Sequence, residues 1–204
     1  MIKSQVLKFF LLIHLLLFSG CAFVDQEVRL TYNPVGITSG GKGPISISRP
    51  ENQTLEKNSK GLFVIGTVRN GYGIRTADTV TPDSPADWVV LALKTELSRA
   101  GFEVQLVEAV SANATPTILP AIDKIWVDHD MGFFTVGAAA EVGFRLAIYQ
   151  NGRKVDVLSF RDLAEKRATF GGDAEQKGEA LQAAMQACMA KAVPEIIQKT
   201  EPSL

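Results

Sequence analysis

Few side chains in this 204-residue chain are of a type and spacing that could do chemistry. His129 stands between Asp128 and Asp130, a run that could open a metal site. In an extended strand, however, His129 points away from both aspartates, and a metal needs further ligands converging from elsewhere, so an exposed strand end is expected. Nucleophilic catalysis by serine or cysteine calls for a base within hydrogen-bond reach, normally histidine. The other histidine, His14, falls in an apolar leader, which leaves His129 alone for the folded part. Cys188 lies on an apolar helical stripe and reads as a small core residue; a reactive thiol would need exposure and a nearby cation. Asp156 and Asp162 could in principle serve glycoside cleavage, but nothing in the sequence sets the separation such a pair requires. Gly40-Gly41-Lys42-Gly43 invites a phosphate-loop reading, yet no Gly-Lys-Ser/Thr unit follows at the required spacing and no helix begins there. The expectation is a non-catalytic chain with no metal and no cofactor.

One cysteine sits in a chemically specific context. Residues 1–20 carry Lys3 and Lys8, no acid, and then an apolar run from Phe9 to Phe18 broken only by His14. That is the pattern of a secretion signal, and the run is too short to span about 30 Å of hydrocarbon, which takes about 20 residues. Ser19 and Gly20 directly precede Cys21, an arrangement that resembles the lipobox of bacterial lipoproteins, with Phe18 where leucine is usual. The resemblance implies that the Cys21 thiol receives a diacylglyceryl group, that the leader is removed, and that the new amino terminus is acylated. Each buried methylene adds about 0.8 kcal/mol of membrane affinity, so several acyl chains hold a protein where one would not. Ala22 stands where that family commonly has aspartate for retention on the inner membrane, which implies the periplasmic face of the outer membrane.

Composition narrows the partners. The formal net charge is −1, and loss of Lys3 and Lys8 with the leader makes the rest slightly more acidic. Nucleic-acid binding through a basic stripe is therefore not expected, and membrane attachment must rest on lipid rather than charge. With 46% apolar residues, a chain of this length can bury roughly 70% of its unfolded surface in one core. If Cys21 is acylated, Cys188 has no disulfide partner.

Around these residues the sequence predicts a cleaved leader over 1–20, a lipid-anchored flexible tether over 21–43 with a short strand at 28–32, and one globular domain over 44–204. Residues 45–48 and 62–68 read as strands separated by a polar loop. Ser84, Pro85 and Asp87 form an N-terminal helix signature, Val89, Leu93, Leu97 and Ala100 share a stripe, and Gly101 ends the helix. Phe102, Val104 and Leu106 share one face of the next strand, and Ile125 and Val127 alternate with polar neighbours in another. Asn151-Gly152 between alternating segments predicts a tight hairpin pairing Ile148 with Val155 and Leu146 with Val157, with Phe160 on the outer face. Asp173 caps a last helix with Leu181, Met185, Cys188 and Ala192 on its stripe, and Pro194 is expected to kink or end it. The fold class is α+β: a mixed, largely antiparallel sheet with two main helices packed on one face.

The cysteine followed by VRLTYNP, then VIGTVRNGYG, the Trp-bearing helix DWVVLALKTELSRAGFEV and an Ala-rich closing helix together resemble the YajG-type bacterial envelope lipoproteins and, more distantly, the auxiliary lipoproteins of envelope ABC transport systems. The resemblance implies location and architecture and carries no catalytic residue. Residues 69–84 read as a long, glycine-rich loop, and its Arg69, Tyr72 and Arg75 are of the types enriched where proteins meet partners. The alternative is that the glycines there merely allow an irregular connection. Two functions stay open: a non-catalytic envelope module that binds another envelope protein or stabilises an assembly, and an accessory subunit of a lipid or lipopolysaccharide transport system holding an acyl chain between sheet and helix.

Overall fold

The computed structural model describes residues 24–36, 39–50, 55–70, 72–112, 115–131, 136–168 and 174–200. Along them run β1 (Gln26–Glu27), β2 (Pro44–Ser48), β3 (Phe63–Arg69), β4 (Arg75–Thr81), α1 (Pro85–Ala100), β5 (Glu103–Val107), β6 (Thr117–Met131), β7 (Val136–Gln150), β8 (Arg153–Ala168) and α2 (Ala174–Thr200). The fold is α+β, with a mixed sheet in the order β1-β4-β3-β6-β2-β5 and with β7 and then β8 on the other side of β6. Parallel pairings join β1 to β4, β2 to β5 and β6, and β3 to β6. The antiparallel ladders β3–β4, β6–β7 and β7–β8 are longer and carry most of the cross-strand pairs.

The expected helix α1 forms for the expected reasons. The Ser84 hydroxyl accepts from the Asp87 N–H at 3.2 Å, Pro85 takes the first turn, and Gly101 adopts φ 111° at the end, a conformation only glycine reaches cheaply. Val89, Leu93 and Leu97 are fully buried, each contributing about 1.5–3 kcal/mol. In α2 the stripe Leu181, Met185, Cys188 and Ala192 is likewise buried, against Ile125, Val142 and Phe144 of the sheet. Pro194 does not end this helix, which continues to Thr200. The missing bond and ring clash cost about 3 kcal/mol, and Val193 and Ile196, both fully buried, keep the turn seated on the core. Asp173, read as the cap, lies outside the described residues.

Three further expectations are corrected. Residues 75–81 form strand β4 rather than continuing a loop; Val80 is the sole large apolar residue there, so the pairing with β3 decides the structure and not the hydrophobic pattern. At the β7–β8 hairpin, Asn151 (φ 52°) and Gly152 (φ 73°) make the tight turn, but the register then slips: Tyr149 faces Lys154, Ile148 faces Asp156 and Leu146 faces Leu158. One residue of slip exchanges the faces, so Leu158 and Phe160 turn inward, with the Phe144 and Phe160 rings 5.8 Å apart, while Val155 and Val157 are exposed. Glu141 and Arg145 face outward, bonded to Lys124 at 2.7 Å and to Asp123 at 2.8 Å respectively.

The third correction concerns the segment read as a flexible tether. The strand there is Gln26–Glu27, not 28–32. From it the chain runs extended along both helices, with Val28 and Leu30 buried. The Trp88 indole N–H donates to the Thr31 carbonyl at 2.9 Å, and the Gln186 amide donates to the Asn33 carbonyl at 2.8 Å. Glu96, fully buried on α1, accepts from the Tyr32 hydroxyl and the Val35 N–H, both at 2.6 Å. Burial and the neighbouring carboxylate push the Tyr32 phenol well above its usual range. Gly40 and Gly41 donate to the Ala100 carbonyl at 3.0 and 2.9 Å, so the glycine run caps α1. Apolar side chains every second residue read as a weak strand in a tether; what the sequence hides is that the helices supply their covering.

Strand β6 gives one edge to two partners, Thr117 and Ile118 to β2 and Val127 to Gly66 of β3. A Cβ at Gly66 would lie 1.8 Å from the Val127 carbonyl oxygen. Gly66→Ala is expected to lower stability by ~3 kcal/mol through this overpacking, while Gly36→Ala, with open space around it, leaves the urea midpoint nearly unchanged; circular dichroism during denaturation checks both. Glu96→Ala removes the acceptor for Tyr32 and Val35 and is expected to cost about 2–3 kcal/mol, with hydrogen exchange rising first in residues 28–36.

Candidate functional site

The β3–β4 hairpin tip is fixed by its own backbone. The Asn70 side-chain oxygen accepts from the Tyr72 and Ile74 N–H groups, each at 3.0 Å, an Asx-type turn that asparagine forms readily. The Asn70 N–H donates to Ile74 at 2.9 Å and the Gly73 N–H to Asn70 at 2.8 Å, with Gly73 at φ 77°. Arg69 lies over the turn and donates to the Gly73 carbonyl at 3.0 Å. Arg75 turns back onto Asp78, its Nε 3.1 Å from Oδ1. This bonding leaves Tyr72 at 91% exposure and Ile74 at 62%, held out from the domain without the freedom of a loose loop.

Beneath the tip lies a polar cluster. Asp128 accepts from the Thr67 hydroxyl and from the Trp126 indole N–H, the latter at 3.1 Å, and Arg69 approaches it at 4.0 Å. Burial works against its charge, yet the hydrogen bonds from Thr67 and Trp126 and the arginine outweigh it and hold the carboxyl below its usual range. His129 is half-buried rather than an exposed strand end, and its Nδ1 accepts from the Arg69 N–H at 3.3 Å. Lys177, fully buried, reaches in from the first turns of α2 and donates to the Thr67 carbonyl at 3.0 Å and the Thr79 hydroxyl at 2.6 Å. Burial pulls its ammonium down to about 8, with the Asp128 charge acting in the opposite direction.

The hairpin thus brings together the three residues singled out in the sequence, but differently from their expected roles. Both arginines are committed to bonds within the molecule, and the exposed group is Tyr72, with Ile74 beside it. Ile74 carried no pattern that would mark it. Lys177 and Glu96 did: each falls at helical spacing on its apolar stripe, Lys177 four residues before Leu181 and Glu96 three after Leu93, and a charge at a core position must find buried partners.

The other residues singled out for chemistry lie elsewhere in the fold. Cys188 is buried with its thiol 3.4 Å from the Val142 carbonyl, and burial pushes it up to about 12. Asp156 and Asp162 pair with Lys199 and Lys191, each at 2.8 Å; six residues apart on one strand, they lie roughly 20 Å from each other, too far for a glycosidase pair. Among the described residues no three His, Cys, Asp or Glu side chains are grouped to hold a metal. Cys21 lies outside the described residues.

No family model matches the chain, and none of the curated proteins matches it. Solved structures do. A Xanthomonas campestris protein assigned to family DUF330 aligns with 87% of this chain and 98% of its own at 11% identity, with a TM-score of 0.55. An uncharacterised protein aligns with 85% of this chain and 99% of its own at 11% identity and TM-score 0.35. A candidate neuraminyllactose-binding hemagglutinin homolog from Helicobacter pylori aligns with 85% and 94% at 12% identity and TM-score 0.36. The first of these shows a shared fold, that of an uncharacterised bacterial family.

Because the Lys177 ammonium titrates lower in the folded chain than in the unfolded one, between pH 8 and 10 the unfolded state binds more protons, and stability tied to this group rises with pH. Wild type is expected to gain on Lys177→Met by up to about 1.4 kcal/mol per pH unit in that window, read from urea unfolding at a series of pH values. A difference that stays flat would place the lysine charge in water.

Proposed function

We propose that the chain is a non-catalytic, lipid-anchored cell-envelope protein, held at Cys21 and acting as a binding module through the β3–β4 tip. The observation that carries the binding half is Tyr72, 91% exposed on a turn locked by Asn70 and Arg69. A large amphipathic ring presented on a rigid support loses little entropy when it is covered, which is how tyrosine serves at interfaces. Support for the anchor comes from the leader, from Ser19-Gly20-Cys21, and from the likeness to YajG-type lipoproteins. Ala22 favours the periplasmic face of the outer membrane.

The transport reading, with an acyl chain held between sheet and helix, meets a closed interface: Ile125, Val142, Phe144, Met185 and Cys188 are all at 0% exposure. The open groove of about 440 Å³ beside the N-terminal segment is lined by Glu27, Arg29, Glu175 and Glu179 among others, walls that suit water better than hydrocarbon.

Cys21→Ser is expected to move the protein from the membrane to the soluble fraction with an unchanged circular dichroism spectrum, because the buried residues of the described chain, from Val28 to Ile196, are left as they are. Intact mass of the natural product should show acyl chains and no leader; a bare thiol or an uncut leader would refute the anchor. Capture from native membranes with a C-terminal tag, identifying both proteins and lipids, tests the binding half: a protein or lipid lost in Tyr72→Ser is the expected result, and identical captures, together with no protein or lipid crosslinked through a photoreactive residue at position 72, would refute the tip.

A further inference from the structure

We infer that the partner of the tip is the phospholipid surface itself, so that Tyr72 and Ile74 enter the headgroup region beside the anchor and fix which end of the domain faces the bilayer. The inference rests on the lipid-anchor reading of Cys21 and names the partner of the same tip. Chain direction is its foundation. Strand β1 runs parallel to β4, Gln26 beside Thr79 and Glu27 beside Val80, and the Asp78 N–H donates to Asp25 at 3.1 Å. Since β4 starts at Arg75, next to the tip, and runs away from it, the chain before Gln26 heads toward the tip. Val24, the first described residue, is 62% exposed. Cys21 precedes it by three residues, which reach at most roughly 11 Å. From Asp78 back to Arg75 is likewise three residues, or roughly 10 Å of strand. Acyl chains on Cys21 therefore enter the bilayer on the side of the domain where Tyr72 and Ile74 project.

The chemistry of that end suits a membrane interface. Tyrosine is enriched at the headgroup level, where its ring is buried and its hydroxyl stays wet, and Ile74 and Val24 add exposed apolar surface. Arg69 and Arg75 are matched by Asp128 and Asp78. With both arginines of the tip neutralised, attraction to anionic lipid contributes little and the contact should resist salt. A single tip of this size binds weakly alone. The covalent anchor removes that difficulty, because a contact on the same short leash meets the surface at a high effective concentration. The opposite end is set as well. Strand β3 runs parallel to β6 and joins it at Val127, whereas the β7–β8 turn lies by Thr117, which pairs with Tyr149; Asn151 and Gly152 then face away from the lipid.

The test uses the acylated full chain in vesicles of phosphatidylethanolamine and phosphatidylglycerol, with a photoreactive benzophenone residue replacing Tyr72 in one sample and Asn151 in another. Both positions are exposed, and circular dichroism checks the fold of each. Mass spectrometry is expected to find several-fold more phospholipid adduct at 72 than at 151, with no loss in high salt. Equal adducts at both positions, in protein whose intact mass shows acylated Cys21, would overturn the inference and leave the anchor standing. In native membranes, adducts at 72 to protein and not to lipid would overturn it in favour of a protein partner. An unacylated Cys21 would remove the anchor reading and this inference with it.

Discussion

The close passage of Gly66 under the Val127 carbonyl is the constraint on which the architecture turns. Strand β6 needs a partner along each edge, and on one edge the partner changes from β2 to β3 partway along. Two strands can share an edge only if the second enters at an angle and close to it, which the absent side chain and a shifted register between Val64 and Gly66 permit. A bulge bends its strand and disturbs the local ladder. Next to it, the Thr67 carbonyl takes hydrogen bonds from the Thr79 hydroxyl and Lys177. A buried charge is tolerated here because the site supplies acceptors and a nearby carboxylate, and an apolar side chain would leave the Lys177 bonds to Thr67 and Thr79 unmade.

The result in space is a hairpin with a stiff base. Asp128 on β6 ties Thr67 and Arg69 of β3 together, Lys177 ties β3 and β4 to α2, and Asn70 closes the turn. Apart from the Asn70 turn, these bonds lie below the tip. They support it from beneath, so the exposed ring is presented by residues that are themselves half-buried or buried, the arrangement that keeps a contact residue in place.

Much of this was legible in the sequence wherever one residue's environment is set by its neighbours in the chain. Helix α1, with Ser84 and Gly101 at its ends, and the Asn151-Gly152 turn are local and were readable. The core stripe of α2 was too. Features that depend on a distant strand were not. Strand β4 has one large apolar residue and exists because β3 is beside it. The slip after Tyr149 reverses the faces of β8, and nothing between Arg153 and Phe160 marks it. The polar cluster was half legible: Lys177 stood on an apolar stripe, but the acceptors waiting for it, Thr67 and Thr79, are known only once β3 and β4 are paired.

The packed course of residues 26–35 has a mechanical consequence. A flexible segment from 21 to 43 would let the domain stand off an anchor at Cys21, were there one, by tens of ångströms and sample all orientations, since a random coil's reach grows as the square root of its length. Val28, Leu30 and the bonds to Trp88, Glu96 and Asp83 remove that freedom. On the proposed anchor at Cys21, the span to Asp25, which accepts from the Asp78 N–H, is at most roughly 14 Å. With such an anchor, a span that short would not let the domain turn end over end without unpairing β1 from β4. If Cys21 carries the proposed anchor, the distance from lipid follows from the pairing that places Asp25 beside Asp78, and the surface facing the bilayer is whatever that pairing puts next to Val24.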